Sequence, residues 1–172
     1  MMEHQTSTDL TATSVIVLGL IEQGGAATPY ELKAAVAGAV GNFWSVPHSA
    51  LYAEPERLTR AGYLKQRRER GGRRRVSYSI TARGRRALDA WREDPAAELP
   101  ELRDPALLKI FFGADPRAMS TAQVDAHRRK LAHYEQVKAL DDGAGSRGPW
   151  LALEAGMRHE RVWIDYWEEM AK

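Results

Sequence analysis

Tyr63–Thr81 reads YLKQRRERGGRRRVSYSIT, and this stretch decides the fold. Val76, Tyr78 and Ile80 alternate with Arg75, Ser77 and Ser79, the period of two that sends one set of side chains to each face of a strand. Tyr63–Arg68 alternates in the same way. Between them Glu69–Arg74 carries Gly71-Gly72, a pair free to adopt the positive φ angles of a tight hairpin turn. The stretch predicts two antiparallel strands whose tip is loaded with Arg67, Arg68, Arg70, Arg73, Arg74 and Arg75.

Helical periods stand on the N-terminal side. Thr11–Gln23 (TATSVIVLGLIEQ) is β-prone at Val15-Ile16-Val17, but its length and the Gly24-Gly25 stop argue for a helix buried around most of its girth. Thr28-Pro29-Tyr30-Glu31 is a helix start with Thr28 as N-cap, proline at the first helical position and Glu31 closing a capping box. That helix runs to about Val40. Ser45-Val46-Pro47 opens a third helix by the same logic, with Ser45 as N-cap and His48–Ala61 as its body. Leu51, Leu58 and Ala61 face inward there, and Gly62 follows the last turn. Pro55 cannot donate to the carbonyl of Leu51, so a kink or a split is expected near Tyr52–Pro55.

On the C-terminal side Thr81 caps a helix over Ala82–Arg92 that should bury Leu88 and Trp91. Glu93–Pro105 holds three prolines and reads as a linker. Asp104-Pro105 opens a short helix, Ala106–Phe112, stopped by Gly113. Ser120 and Gln123 form a capping box for a long helix to about Asp141, with Val124, Leu131, Tyr134, Val137 and Leu140 as its apolar positions. Gly143–Gly148 reads as a loop, and Trp150–Met170 as the last helix. Trp150, Leu153, Met157, Ile164 and Trp167 make its stripe, widened by Trp163, Tyr166 and Met170.

Charge is segregated along the chain. The formal net charge is +2, yet residues 57–92 hold thirteen basic residues against Glu69 and Asp89, a net +11. Twelve of the thirteen are arginine, whose planar fork grips phosphate and base edges where lysine supplies only a point charge. Helix, helix, helix, hairpin, helix is the order of a winged helix, a helix-turn-helix variant. Its third helix starts with short polar residues, Ser45, His48 and Ser49, with Tyr52 one turn on, which suits entry into the ~12 Å major groove of DNA. An arginine-loaded wing can follow the backbone and reach the minor groove.

The expected class is therefore mainly α, α+β by virtue of the wing. Residues 1–10 form a flexible tail. Residues 11–94 form an N-terminal winged helix-turn-helix DNA-binding domain with a two-stranded β-hairpin. Residues 95–172 form a helical C-terminal dimerisation domain.

Other chemistries lack carriers. With no cysteine, thiolate metal sites and thiol nucleophiles are excluded. The five histidines make no metal-binding pair, and no nucleophile elbow or apolar carboxylate pair occurs. Gly143-Ala-Gly145-Ser-Arg-Gly148 matches a dinucleotide fingerprint by letter, but a helix rather than a strand precedes it and Pro149 follows. No enzyme activity, cofactor or metal is expected. The longest apolar run, Val15–Ile21, is seven residues, far short of the ~20 that cross a bilayer. The polar N-terminus lacks the basic start of a signal peptide, so the expectation is a cytoplasmic protein without membrane contact, on the nucleoid when DNA is bound.

The residues also resemble a known family. His48-Ser-Ala-Leu-Tyr52, Arg57-Leu58 and Ala61-Gly62-Tyr63-Leu64 look like the recognition helix of the PadR family of bacterial transcriptional regulators. Thr28-Pro-Tyr30-Glu31-Leu32 is similar to its second helix, with Pro29 in place of the usual glycine. Arg75-Val-Ser-Tyr78-Ser-Ile80-Thr81, Gly84 and Ala87-Leu88-Asp-Ala-Trp91 are similar to its wing and fourth helix. Asp104-Pro105, Leu107-Leu108 and Phe111-Phe112, with the tryptophan-rich last helix, resemble the helical C-terminal domain of the longer subfamily. The resemblance implies a homodimeric repressor on an inverted-repeat operator in double-stranded DNA, released by a small aromatic effector. It adds Arg57 to the DNA-contacting set of Ser45, His48, Ser49, Tyr52, Arg68, Arg70, Arg73, Arg74 and Arg75. Trp150, Met157, Trp163 and Trp167 are the candidates for a dimer interface or effector pocket. The competing reading is a dimeric interaction module whose basic wing binds an acidic protein, RNA or an anionic surface.

Overall fold

A computed structural model describes residues 10–68, 75–95, 99–140 and 147–172. The first helix, α1 (Ala12–Gly24), opens on a reciprocal cap: Ser14 N–H donates to Thr11 Oγ1 (3.2 Å) and Thr11 N–H to Ser14 Oγ (2.8 Å). Gly25, at φ +83°, supplies the left-handed turn that ends it. Helix α2 (Pro29–Gly38) starts as its sequence predicts, with Thr28 as N-cap and Glu31 completing the capping box. It stops two residues short of Val40, and a single 3₁₀ turn, Val40–Asn42, follows.

Helix α3 (Ala50–Arg60) corrects two expectations. Ser45 is not its N-cap; that position falls to Ser49, whose side chain makes no capping bond. Proline disfavours the helical region for the residue before it, so the helix does not run back through Val46. Ala50 N–H then donates to Pro47 O (3.0 Å) and Leu51 N–H to His48 O (3.1 Å), a tight lead-in to the helix. Pro55 does not split α3. Its ring is sealed in the core beside Leu51 and Leu58, and that burial offsets the missing hydrogen bond.

Strands β1 (Leu64–Arg68) and β2 (Val76–Ile80) pair antiparallel, Leu64 opposite Ile80 and Arg68 opposite Val76. Their connecting turn, with the predicted Gly71-Gly72, lies outside the described residues. An added rung ties the hairpin to the body: Ala27 N–H donates to Tyr78 O (3.0 Å) and Tyr78 N–H to Ala27 O (2.8 Å). Helix α4 (Ala82–Glu93) is capped by Thr81 and buries Leu88, but Trp91 is 52% exposed, contrary to its predicted burial. Val17, Leu18, Ile21, Leu32, Leu51, Leu58, Leu64, Tyr78 and Leu88 form one core, with α1 packed against α2, α3, α4 and β2.

The chain divides into two compact units, Met1–Glu98 and Leu99–Lys172. The second holds α5 (Pro105–Phe111), α6 (Arg117–Ala139) and α7 (Arg147–Met170). Asp104 caps α5, its carboxylate accepting from Ala106 N–H (2.7 Å). Helix α6 begins three residues before the predicted Ser120 cap, because Pro116 already holds helical φ and ψ. Ser120 is instead buried within α6 and its hydroxyl donates to Pro116 O (2.9 Å). The stripe of α6 buries Val124 and Tyr134, whereas Leu140 is exposed. Of the predicted loop, Gly143 to Ser146 lie outside the described residues, and Gly148 sits in the first turn of α7. Ala106, Val124 and Trp167 are the buried centre of this unit.

Candidate nucleic-acid interface

The outer face of α3 and its lead-in stand open to water. Leu51, Pro55 and Leu58 point into the core, which by helical periodicity leaves Ser49, Tyr52, Ala53, Glu56 and Arg60 toward water. Ser45 and His48 are exposed just ahead of the helix. Ser45, His48, Ser49 and Tyr52 therefore line the open end of α3, although Ser45 and His48 reach it from the lead-in and not from a helical turn.

Arg57 is placed differently. Its Nε and Nη2 donate to the two oxygens of Glu54 (3.0 and 2.8 Å), and Nη2 also donates to Ser14 Oγ (2.8 Å). Ser14 is fully buried, and its hydroxyl donates to Glu54 Oε1 (2.5 Å). The Arg57 hydrogen bonds hold the Glu54 carboxyl below the usual carboxylate range, against the opposing pull of burial. This triad fastens α3 to α1. Arg57 thereby orients α3 on α1, with 36% of its side chain still exposed. Helical periodicity alone could have placed it: Arg57 lies two and five residues from Pro55 and Tyr52, on the flank between the buried and exposed faces.

On the hairpin, Lys65 and Arg67 face away from the core opposite Ser79 and Ser77. Arg68 projects from the other face, opposite Val76, beyond the end of the packed rows. Arg75 is exposed just before the start of β2. Arg70, Arg73 and Arg74 lie outside the described residues. Three aromatics missed by the sequence reading are exposed in the same unit: Tyr30, Phe43 and Trp44. Phe43-Trp44 carried a signal, since two adjacent aromatics just before a helix fit no packing period.

The second unit separates its four candidates. Trp167 is completely buried and Met157 nearly so, both within the unit itself. Trp167 packs there with Ala106 of α5 and Val124 of α6. The indole N–H of Trp167 has no hydrogen-bond partner among the described residues. Trp150 is 38% exposed, with the Lys138 ammonium 5.3 Å from its ring centre. Trp163 is partly buried, stacks on His127 at 5.9 Å and donates to His159 Nε2 (3.1 Å). Behind it Nδ1 of His127 meets the buried Glu160 carboxylate at 2.6 Å. Among the described residues no cluster of histidine or carboxylate groups suits a metal ion, and no helix is long and apolar enough to cross a membrane.

Comparison with known proteins places this arrangement. Residues 17–90 match the transcriptional regulator PadR-like family, and residues 102–172 match the virulence activator alpha C-terminal domain. The negative transcriptional regulator PadR of Bacillus subtilis (strain 168) is 24% identical over 171 residues, covering 90% of this chain and 92% of that protein. Its crystal structure with operator DNA superposes with a TM-score of 0.82 at 22% identity, over 94% of this chain and 98% of that one. A second structure of that protein holds p-coumaric acid and gives 0.76, at 22% identity over 94% of this chain and 97% of that one. The Vibrio cholerae virulence activator AphA gives 0.70 at 25% identity, over 93% of this chain and 96% of its own. The unit with the winged helix and arginine hairpin thus carries a PadR-like family domain and the helical unit a virulence activator alpha C-terminal domain, the make-up of a DNA-binding transcriptional regulator and not of an enzyme.

Proposed function

We propose that the chain acts as a homodimeric repressor, reading an inverted-repeat operator in double-stranded DNA and leaving it when a small aromatic effector binds. The observation that carries the reading is the pairing, in one unit, of a short polar helix face with an arginine hairpin. Ser49 and Tyr52 on α3, with Ser45 and His48 ahead of it, supply groups that can approach base edges. Arg67, Arg68 and Arg75 supply the sequence-independent grip on phosphate, joined by Arg70, Arg73 and Arg74. The B. subtilis relative is a negative regulator and has been seen with operator DNA, which supports the same sign of control here.

The second unit supports dimerisation. Leu108, Phe111 and Phe112 of and beside α5 stay largely in water, an apolar surface that a second copy would cover. Trp150 and Trp163 remain as the tryptophans a phenolic ligand could meet, as the p-coumaric acid complex of the relative supports. The protein would work in the cytoplasm, on the nucleoid when bound.

Selection from random duplexes at two salt concentrations tests the reading. Enrichment of an inverted repeat with half-site centres ~10 bp apart is expected, because a two-fold dimer presents two recognition helices one turn apart. Retention that collapses with salt and enriches no sequence would overturn it and favour the interaction-module reading.

A further inference from the structure

The start of α2, the outer face of α3 and the start of β2 enclose an open recess of about 380 Å³. Tyr30, Glu31, Tyr52 and Arg75 line it, with Thr28 and Pro29 at one edge. Tyr30 is 75% exposed and Tyr52 is 52% exposed, so neither ring is there to fill the core. The backbone of the first turn of α2 offers little. Thr28 N–H already donates to Glu31 Oε2 (2.7 Å), Glu31 N–H to Thr28 Oγ1 (3.3 Å) and Leu32 N–H to Thr28 O (2.9 Å). What the recess presents is side-chain chemistry: two phenolic hydroxyls, one guanidinium and one carboxylate.

Glu31 and Arg75 feel each other. The Thr28 hydrogen bonds chiefly hold the Glu31 carboxyl below its usual range, and the Arg75 charge adds to them. A polyanion entering the recess competes for Arg75 directly. The recess adjoins the helix face that reads DNA and the strand start of a hairpin carrying a strong positive charge, so its complementary occupant is the sugar-phosphate backbone.

We propose that this recess seats one backbone phosphate of the bound duplex, with the Tyr30 and Tyr52 hydroxyls and the Arg75 guanidinium donating to its oxygens in place of the Glu31–Arg75 attraction. Tyr30 becomes a positioning contact that sets the register of α3 in the groove, and Glu31 an opposing charge that every bound duplex must overcome. The inference rests on the DNA-binding reading above.

Two surface variants of the full chain test it on a selected duplex and on a scrambled one. Tyr30→Phe removes only a hydroxyl and should weaken binding to both about fivefold or more, with the salt slope unchanged. Glu31→Gln keeps an acceptor for Thr28 N–H, so α2 stays capped, and should tighten binding to both by about threefold or more at low salt. Circular dichroism verifies that each variant is folded. Either folded variant binding like the wild type, or Glu31→Gln binding more weakly, overturns the phosphate seat while the regulator reading stands. A wild type that retains no duplex at all sinks both.

Discussion

Replacing Arg67, Arg68 and Arg75 together by glutamine lowers affinity for duplex DNA by about 10²–10³-fold near 0.1 M salt, and equally for operator and scrambled sequences. Each arginine that neutralises a phosphate releases condensed counterions and contributes about 0.9 to the slope of log affinity against log salt. Three such contacts per chain lower the magnitude of that slope by about 2.7 for each chain bound. All three side chains are exposed on the hairpin, and none is part of the core, so far-ultraviolet circular dichroism and the melting temperature stay close to wild type. His48→Ala is the contrasting control. It removes a group placed toward base edges, so it should shift sequence preference while the salt slope holds. A triple variant that binds with unchanged slope would place the phosphate contacts elsewhere.

Gly84→Ala unfolds the first unit at temperatures well below the wild-type transition. A Cβ on Gly84 would lie 2.3 Å from the Tyr63 carbonyl oxygen and 2.8 Å from Ile80 Cγ1. That carbonyl cannot simply yield, since it accepts from Thr81 N–H (3.0 Å) and from Thr81 Oγ1 (3.0 Å). Thr81 also caps α4, accepting from Gly84 N–H (3.0 Å), so moving any member strains the junction of β1, β2 and α4. Overpacking of this kind costs about 1–3 kcal/mol, and the disturbed hydrogen bonds add roughly 1–3 more. The gain of about 1 kcal/mol in helix propensity offsets only part. A net loss of about 3 kcal/mol lowers the melting temperature by roughly 10–25 °C in a unit of this size. Gly19→Ala is the matched control: it also lies within a helix, but its Cβ meets nothing within 4 Å, and the same propensity gain should raise the melting temperature.

What could be read from the chain follows from how local each signal is. The start of α2 was legible because Thr28, Pro29 and Glu31 specify it within four residues, with no help from the rest of the molecule. The start of α3 was not, because Ser45 and Ser49 offer the same local chemistry on either side of Pro47, and the restriction that Pro47 places on Val46 shifts the helix start past it to Ala50. The positive block at the hairpin was legible by composition. Composition could not show that Arg57 is tied to Glu54 and Ser14, since Ser14 is 43 residues away. The stripe of α7 announced burial for Trp150 and Trp167 alike. Which of them faces α5 and α6, and which stays open, depends on where the neighbouring helices end.

The five tryptophans are distributed so that light can report on each half separately. Trp44 and Trp91 stand half in water in the first unit, whereas Trp167 is sealed from solvent in the second. An indole in apolar surroundings emits further to the blue than one in water. Opening of the helical unit therefore moves intrinsic emission to the red, while melting of the winged helix leaves that component in place. Without any label, the native chain carries an optical gauge of whether its two halves come apart together or in turn.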